Sequence, residues 1–278
     1  LQWLPKDKAP IMLGWIVSAG ALGALISYSS IVLTWEAFDL DYRTVYWASG
    51  GFTMLAALFC WFFFPHFVSH TKQRHEIVLK KRYWLYYALQ FMAGARRQIF
   101  VVFAGFMMVE RFGYSVDELT LLYTVNLVLN MLAAPLIGKA VAHFGERRAL
   151  LFEYTGLVLV FLAYGGIYAF GWGVAIAATL YVLDHLFFAL KLALKTYFQK
   201  IADPADVAPT AAVAFTINHI AAVFLPVALG LMWLWSPMWV FVLAAVLAAT
   251  SFGLALLIPH NPEPGRETIF SRGRVVPV

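Results

Sequence analysis

An all-α, polytopic membrane fold with about eight transmembrane helices is the architecture this sequence predicts, on three observations. Hydrophobic residues make up 62% of the 278 and charged residues only 13%, whereas a soluble domain is nearer half apolar and a quarter charged. The apolar residues fall in runs of about 20, the length that crosses a ~30 Å hydrocarbon layer, and not in the alternating ten-residue segments of an outer-membrane barrel. Most of the basic residues lie between those runs, where they act as a topology signal.

Eight spans follow in order, at approximately 10–34, 44–64, 83–109, 118–141, 149–170, 173–195, 209–234 and 237–258. The first carries Gly14, Gly20 and Gly23, small residues that let helices approach closely. The second is almost wholly apolar and holds Cys60, the only cysteine, so no intrachain disulfide forms and a buried, inert thiol is expected. The third has Gln90, Arg96, Arg97 and Gln98, and the fourth has Asn126 and Asn130 one turn apart on one face. The fifth has Glu153 alone, near one end and expected to pair with Arg147 or Arg148. The sixth has Asp184 and His185, then Lys191 and Lys195, while the seventh has Thr216, Asn218 and His219. The eighth, like the second, is almost wholly apolar. Spans three, four, six and seven are therefore expected to face inward, and two, five and eight to face lipid.

The paired arginines set the chemical problem. Arg96 lies roughly 20 Å along a helix begun at Tyr83, close to the middle of the hydrocarbon layer. Two charges there cost several kcal/mol unless protein, water or a counter-charge receives them. Helical rise places Asp184 and His219 each about 15 Å from their span ends, in the same band. The functional reading is an anion site, with two guanidiniums against one carboxylate. The structural reading pairs one arginine with Asp184 and the other with backbone carbonyls. Arg97 shares a face with Gln90 and Gly94, which makes it the expected cavity member and Arg96 the structural one. Asp184, His185 and His219 are the candidate proton carriers. Lys191 and Lys195 continue the face of Asp184 but lie within snorkelling reach of the interface, where anchoring is expected of them.

Orientation follows from the flanks. Thirteen basic residues fall on one side, from Lys6 and Lys8 through the 65–82 connection to Arg147, Arg148, Lys200, Arg266, Arg272 and Arg274. Only Arg43 and Arg111 fall on the other, so both termini are expected in the cytoplasm.

At 138–148 the sequence reads GKAVAHFGERR. This resembles the signature loop of the major facilitator superfamily, roughly G-x-L-A-D-R-x-G-R-R, in its C-terminal-half copy. Gly138, Gly145, Arg147 and Arg148 match it as gating-loop residues, while Ala142 and His143 depart from the family's Asp and Arg. The stretch FGYSVDEL at 112–119 is also similar to the family's connection between its seventh and eighth helices. The resemblance implies that the eight spans are family helices five to twelve, lacking the first four. Residues 1–64 would then end the N-terminal half and 65–82 link the halves in the cytoplasm. A six-helix C-terminal half would occupy 83–258 and a cytoplasmic tail 259–278. It also implies that the third and sixth spans line the central cavity, with the fourth and seventh beside them. The opening LQWLPKDKAP is neither an initiator region nor a signal peptide, so missing N-terminal helices on the same native chain are expected.

Together these readings predict a secondary transporter of the bacterial inner membrane. It would move a small anionic organic solute by alternating access, driven by protons, with Arg97, Arg96, Gln90, Asn126, Asn130 and Asn218 as substrate-binding residues. A multidrug-type exporter, with Asp184 recognising cations, is the alternative. The Gly-Pro-rich helix-five motif of the family's drug antiporters is absent from 14–33, which counts against it. A membrane scaffold or sensor on the same fold is a third reading. His66, His70 and His75 match no zinc spacing. No nucleophile motif or phosphate loop occurs, so neither an enzyme, nor a cofactor, nor a nucleic-acid partner is expected. The Pro- and Arg-containing tail is expected to be disordered.

Overall fold

Eight helices carry the chain back and forth in the computed structural model, which describes residues 5–38, 41–64 and 79–271. They are Ala9–Ala37, Tyr42–Phe63, Lys81–Phe112, Val116–Phe144, Glu146–Phe170, Val174–Ile201, Pro204–Trp235 and Pro237–Leu256. No strand occurs among the described residues. All eight are long and apolar enough to cross a bilayer, as an integral membrane protein requires. His66, His70 and His75, with most of the 65–82 connection and the end of the tail, lie outside the described residues.

Close backbone approach joins the first and fourth spans. A Cβ on Gly14 would stand 2.5 Å from the Ala134 carbonyl oxygen, and one on Gly138 would stand 2.5 Å from that of Pro10. One turn beyond the Gly14 contact, the Ser18 hydroxyl donates to the Met131 carbonyl at 2.6 Å. Gly138, one of the loop-motif residues, thus serves helix packing here. Gly14→Ala and Gly138→Ala are each expected to cost about 1–3 kcal/mol, because backbone cannot yield as a side-chain tip can. Gly20 faces open space, so Gly20→Ala is the control, expected within about 0.5 kcal/mol of the parent. Thermal unfolding in detergent reads both.

The fifth span packs chiefly on the eighth, and the third on the seventh. Ala244, Ala248, Ser251 and Ala255 put a small-residue face on the eighth, and Tyr164 stacks on Phe241 at 4.9 Å. The expectation that the fifth and eighth spans merely face lipid is corrected. The fifth is among the most buried spans, with Glu153, Tyr154, Leu157, Phe161 and Tyr164 inside. The second span has no buried residue, and Cys60 on it is exposed, not buried as its apolar run suggested.

Local chemistry sets the helix ends. Ser115 and Glu118 form a reciprocal capping box at the start of the fourth span. Hydrogen bonds from Thr44 cap the second span at Asp41 and hold that carboxyl below its ordinary range. Gly145 turns the chain from the fourth span into the fifth at φ +83°, a conformation that a side chain would strain. At the other end of the fifth, Arg111 donates to the Ile167 carbonyl at 3.0 Å and lies over the Tyr168 ring. A cation there also suits the negative end of the helix dipole. The tail is not disordered through Ser271. The Tyr197 hydroxyl donates to the Glu267 carbonyl at 2.5 Å, and the Ile269 amide donates to the Leu257 carbonyl at 2.9 Å.

Candidate functional site

Two of the long helices lose regular geometry beside the arginines. In the third span Trp84–Gln98 is α-helical, Ile99–Ala104 is π-helical and Gly105–Phe112 returns to α. The wider π turn rotates Gly105–Phe112 about the helix axis relative to Trp84–Gln98, and such segments recur at functional sites. The sixth span breaks between Val174–Ala189 and Leu192–Ile201. There the Leu190 and Lys191 amides donate back three residues, to the Phe187 and Phe188 carbonyls, both at 3.1 Å. Irregular backbone is tolerated within a membrane where it lines a cavity or is buried in protein.

A cleft of about 520 Å³ opens at this level. Its polar lining is Gln90 and Arg97 from the third span, Lys191 and Lys195 from the sixth, and Asn218 and His219 from the seventh. Arg97, Lys191 and Lys195 bring three positive charges, and no carboxylate stands among the lining residues. Lys191 lies over the Phe188 ring at 5.3 Å, which holds its stem against the helix break. The Asn218 amide donates to the Gln90 carbonyl at 3.3 Å. This contact needs Gly94, where a Cβ would stand 2.7 Å from the Asn218 carbonyl oxygen. His219 bonds its own helix, with Nδ1 at 2.8 Å from the Phe215 carbonyl oxygen and its ring stacked on Phe215. The arrangement suits a small organic anion: cations for its charge, amides for orientation, and aromatic rings of Tyr86, Phe198 and Phe215 for its carbon frame.

Arg96 turns elsewhere, which corrects the expectation that it binds substrate. It is 1% exposed, its guanidinium lies 4.5 Å from the Tyr154 ring centre, and Nη2 stands 3.6 Å from Glu153 Oε1. Glu153 therefore faces Arg96 inside the bundle, and not Arg147 or Arg148 at the surface. Neither Glu153 oxygen has a hydrogen-bond partner among the described residues. Asp184 is also buried, at 1% exposure, within the field of Arg96, and lines neither polar cleft.

Asn126, Asn130 and His185 belong to a second cleft, of about 490 Å³, with Tyr28, Thr120 and Tyr123. No Lys, Arg, Asp or Glu lines it, and the centre of the His185 ring is 5.8 Å from that of Phe100. Asn126 is 2% exposed, and neither of its amide atoms has a partner among the described residues. The substrate-binding and proton-coupling residues read from the sequence thus divide between a cationic cleft, a polar cleft and the buried interior, where Arg96 pairs with Glu153 and Asp184 lies in its field. Lys191 and Lys195, expected to be anchors, join the cationic cleft.

Nearer the ends of the spans, charges pair off among themselves. Asp206 receives Lys80 at 2.5 Å, Arg82 at 3.4 Å and the Tyr83 hydroxyl at 2.9 Å. Lys200 lies 2.8 Å from Glu146. Among the described residues no group of three or more His, Cys, Asp or Glu side chains is placed to hold a metal ion. No family model matches this chain, and no curated protein matches it in sequence.

Proposed function

We propose that this chain is a secondary transporter of the major facilitator type that moves a small organic anion by alternating access. The observation that carries the reading is the cleft lined by Arg97, Lys191 and Lys195 with no carboxylate among its lining residues. The cations of this recess repel one another, and Glu153, in the field of Lys191, offsets only part of that repulsion. A bound anion would offset the rest. The helix break at Leu190 and Lys191 and the π segment of the third span support a site between moving parts, the break resembling those of transporters with discontinuous helices. The loop 138–148 and the polar third, sixth and seventh spans support the family assignment. Proton coupling, a bacterial inner-membrane location and cytoplasmic termini complete the proposal. Buried Asp184, His185 in the polar cleft and His219 in the cationic one are its candidate proton carriers.

Equilibrium binding to the purified protein, with a panel of small carboxylates and organic phosphates beside lipophilic cations, tests the reading. Anions are expected to bind, and to bind more weakly as salt rises. Uptake into proteoliposomes is expected to follow an inward proton gradient and to collapse with a protonophore. Preferential binding of lipophilic cations would replace this reading with multidrug export. Absence of uptake for every solute, together with a tight protein partner, would replace it with a scaffold.

A further inference from the structure

The fourth, fifth and sixth spans enclose an apolar groove of about 640 Å³ that is separate from both polar clefts. Ala133, Ala140 and Phe144 line it from the fourth span, and Leu183 and Phe187 from the sixth. Arg148, at the start of the fifth, is its only charged lining residue. Eleven residues separate Ala133 from Phe144 on one helix, a rise of about 16 Å. That is the depth of one leaflet, half of the ~30 Å hydrocarbon layer. The groove therefore runs from mid-layer to the surface at the Gly145 turn, and it is charged only at its surface end.

Two further features of that end point to an anion. Arg148 is exposed and has no ion-pair partner among the described residues, because Lys200 takes the neighbouring Glu146 carboxylate. The fifth span begins at Glu146 without a side-chain cap, so first-turn amides face outward beside Arg148. Apolar length below, one unpaired guanidinium and free amides above match an amphiphile with a negative head.

We propose that this groove seats one acyl chain of an anionic phospholipid from the leaflet bordering the Gly145 turn, with its phosphate at Arg148. The site is independent of the transport reading. A lipid held here wedges between the fourth and sixth spans, which carry the two polar clefts on other faces.

Native mass spectrometry of the purified protein tests the site, with dioleoyl phosphatidylglycerol and dioleoyl phosphatidylcholine added separately. One phosphatidylglycerol is expected to remain bound under activation that strips phosphatidylcholine. Arg148→Gln is expected to weaken its retention about fivefold, the worth of one cation beside a charged headgroup. Arg147→Gln, an equal charge change at a residue that does not line the groove, is expected to leave it in place. Ala140→Phe, which fills the groove at a half-exposed position, is expected to remove it. Equal retention of the two lipids, or equal effects of the two arginine variants, would overturn the proposal. So would displacement by free glycerol 3-phosphate, which has no chain. Loss of a dimer in Ala140→Phe with lipid retention unchanged would assign the groove to a second copy instead.

Discussion

Arg97→Ala is expected to weaken binding of the transported anion by about thirtyfold or more, with the melting temperature of the empty protein unchanged. The fold-change follows from the 2–5 kcal/mol typical of truncating one partner of a desolvated, hydrogen-bonded charge pair. The unchanged melting temperature follows from exposure, since Arg97 lies in the cleft and no ion pair involving it is present among the described residues. Arg97→Lys keeps the charge but loses the planar fork, so an intermediate loss is expected. Lys191→Ala and Lys195→Ala are expected to weaken binding less, about tenfold each, as point charges on flexible stems. Isothermal titration at low and moderate salt reads all four variants. If Arg97→Ala leaves every anion's affinity intact while Arg96→Ala abolishes it, the roles assigned to the two arginines are reversed.

Much of this organisation was legible because a bilayer makes polar residues conspicuous. Arg97, Gln90, Asn218 and His219 stand out in apolar runs, and depth along a helix is simple arithmetic at 1.5 Å per residue. What the arithmetic lacks is the direction around each helix and the identity of its neighbour. Glu153 is seven residues into its helix, about 10 Å from the end, yet proximity in the chain matches it with the arginines of its own loop. Its partner, Arg96, reaches it from the third span. Lys191 reads as an anchor only while its span is taken to end at 195. The helix continues to Ile201, which leaves Lys191 about 15 Å from that end and too deep to snorkel. No Pro or Gly marks the break at Leu190 and Lys191, and the π segment at Ile99–Ala104 has only Gly105 directly after it, a weak signal in a helix with several small residues. Apolar composition points the fifth and eighth spans toward lipid. Lipid tails are as apolar as leucine, so composition cannot distinguish a helix packed on helices from one facing the bilayer.

The buried pair carries the second large effect, and it falls on stability. Arg96→Met is expected to destabilise the protein by about 3–5 kcal/mol, because Glu153 would lose its ion-pair partner while staying fully buried with neither oxygen hydrogen-bonded. Glu153→Leu is expected to cost a similar amount by stranding Arg96. Each change corresponds to a fall in melting temperature on the order of 10 °C. The double variant is the sharper test. With both charges gone, the new apolar side chains meet the Tyr154 ring that flanked Arg96, and apolar replacement of a buried pair is often nearly neutral. The double variant is therefore expected to melt above either single one, with a coupling of about 1–3 kcal/mol. Asp184 limits the recovery, since it lies in the field of Arg96 and loses its cation in both arginine variants. Anion affinity measured on the folded fraction is expected to stay within about threefold of the parent in all three, because Arg96 does not line the cleft. Additive destabilisation of the two single changes would show that Arg96 and Glu153 do not act as a pair. Lost affinity at unchanged stability would return Arg96 to the cleft as a ligand, and the neutralising role would then pass to Asp184.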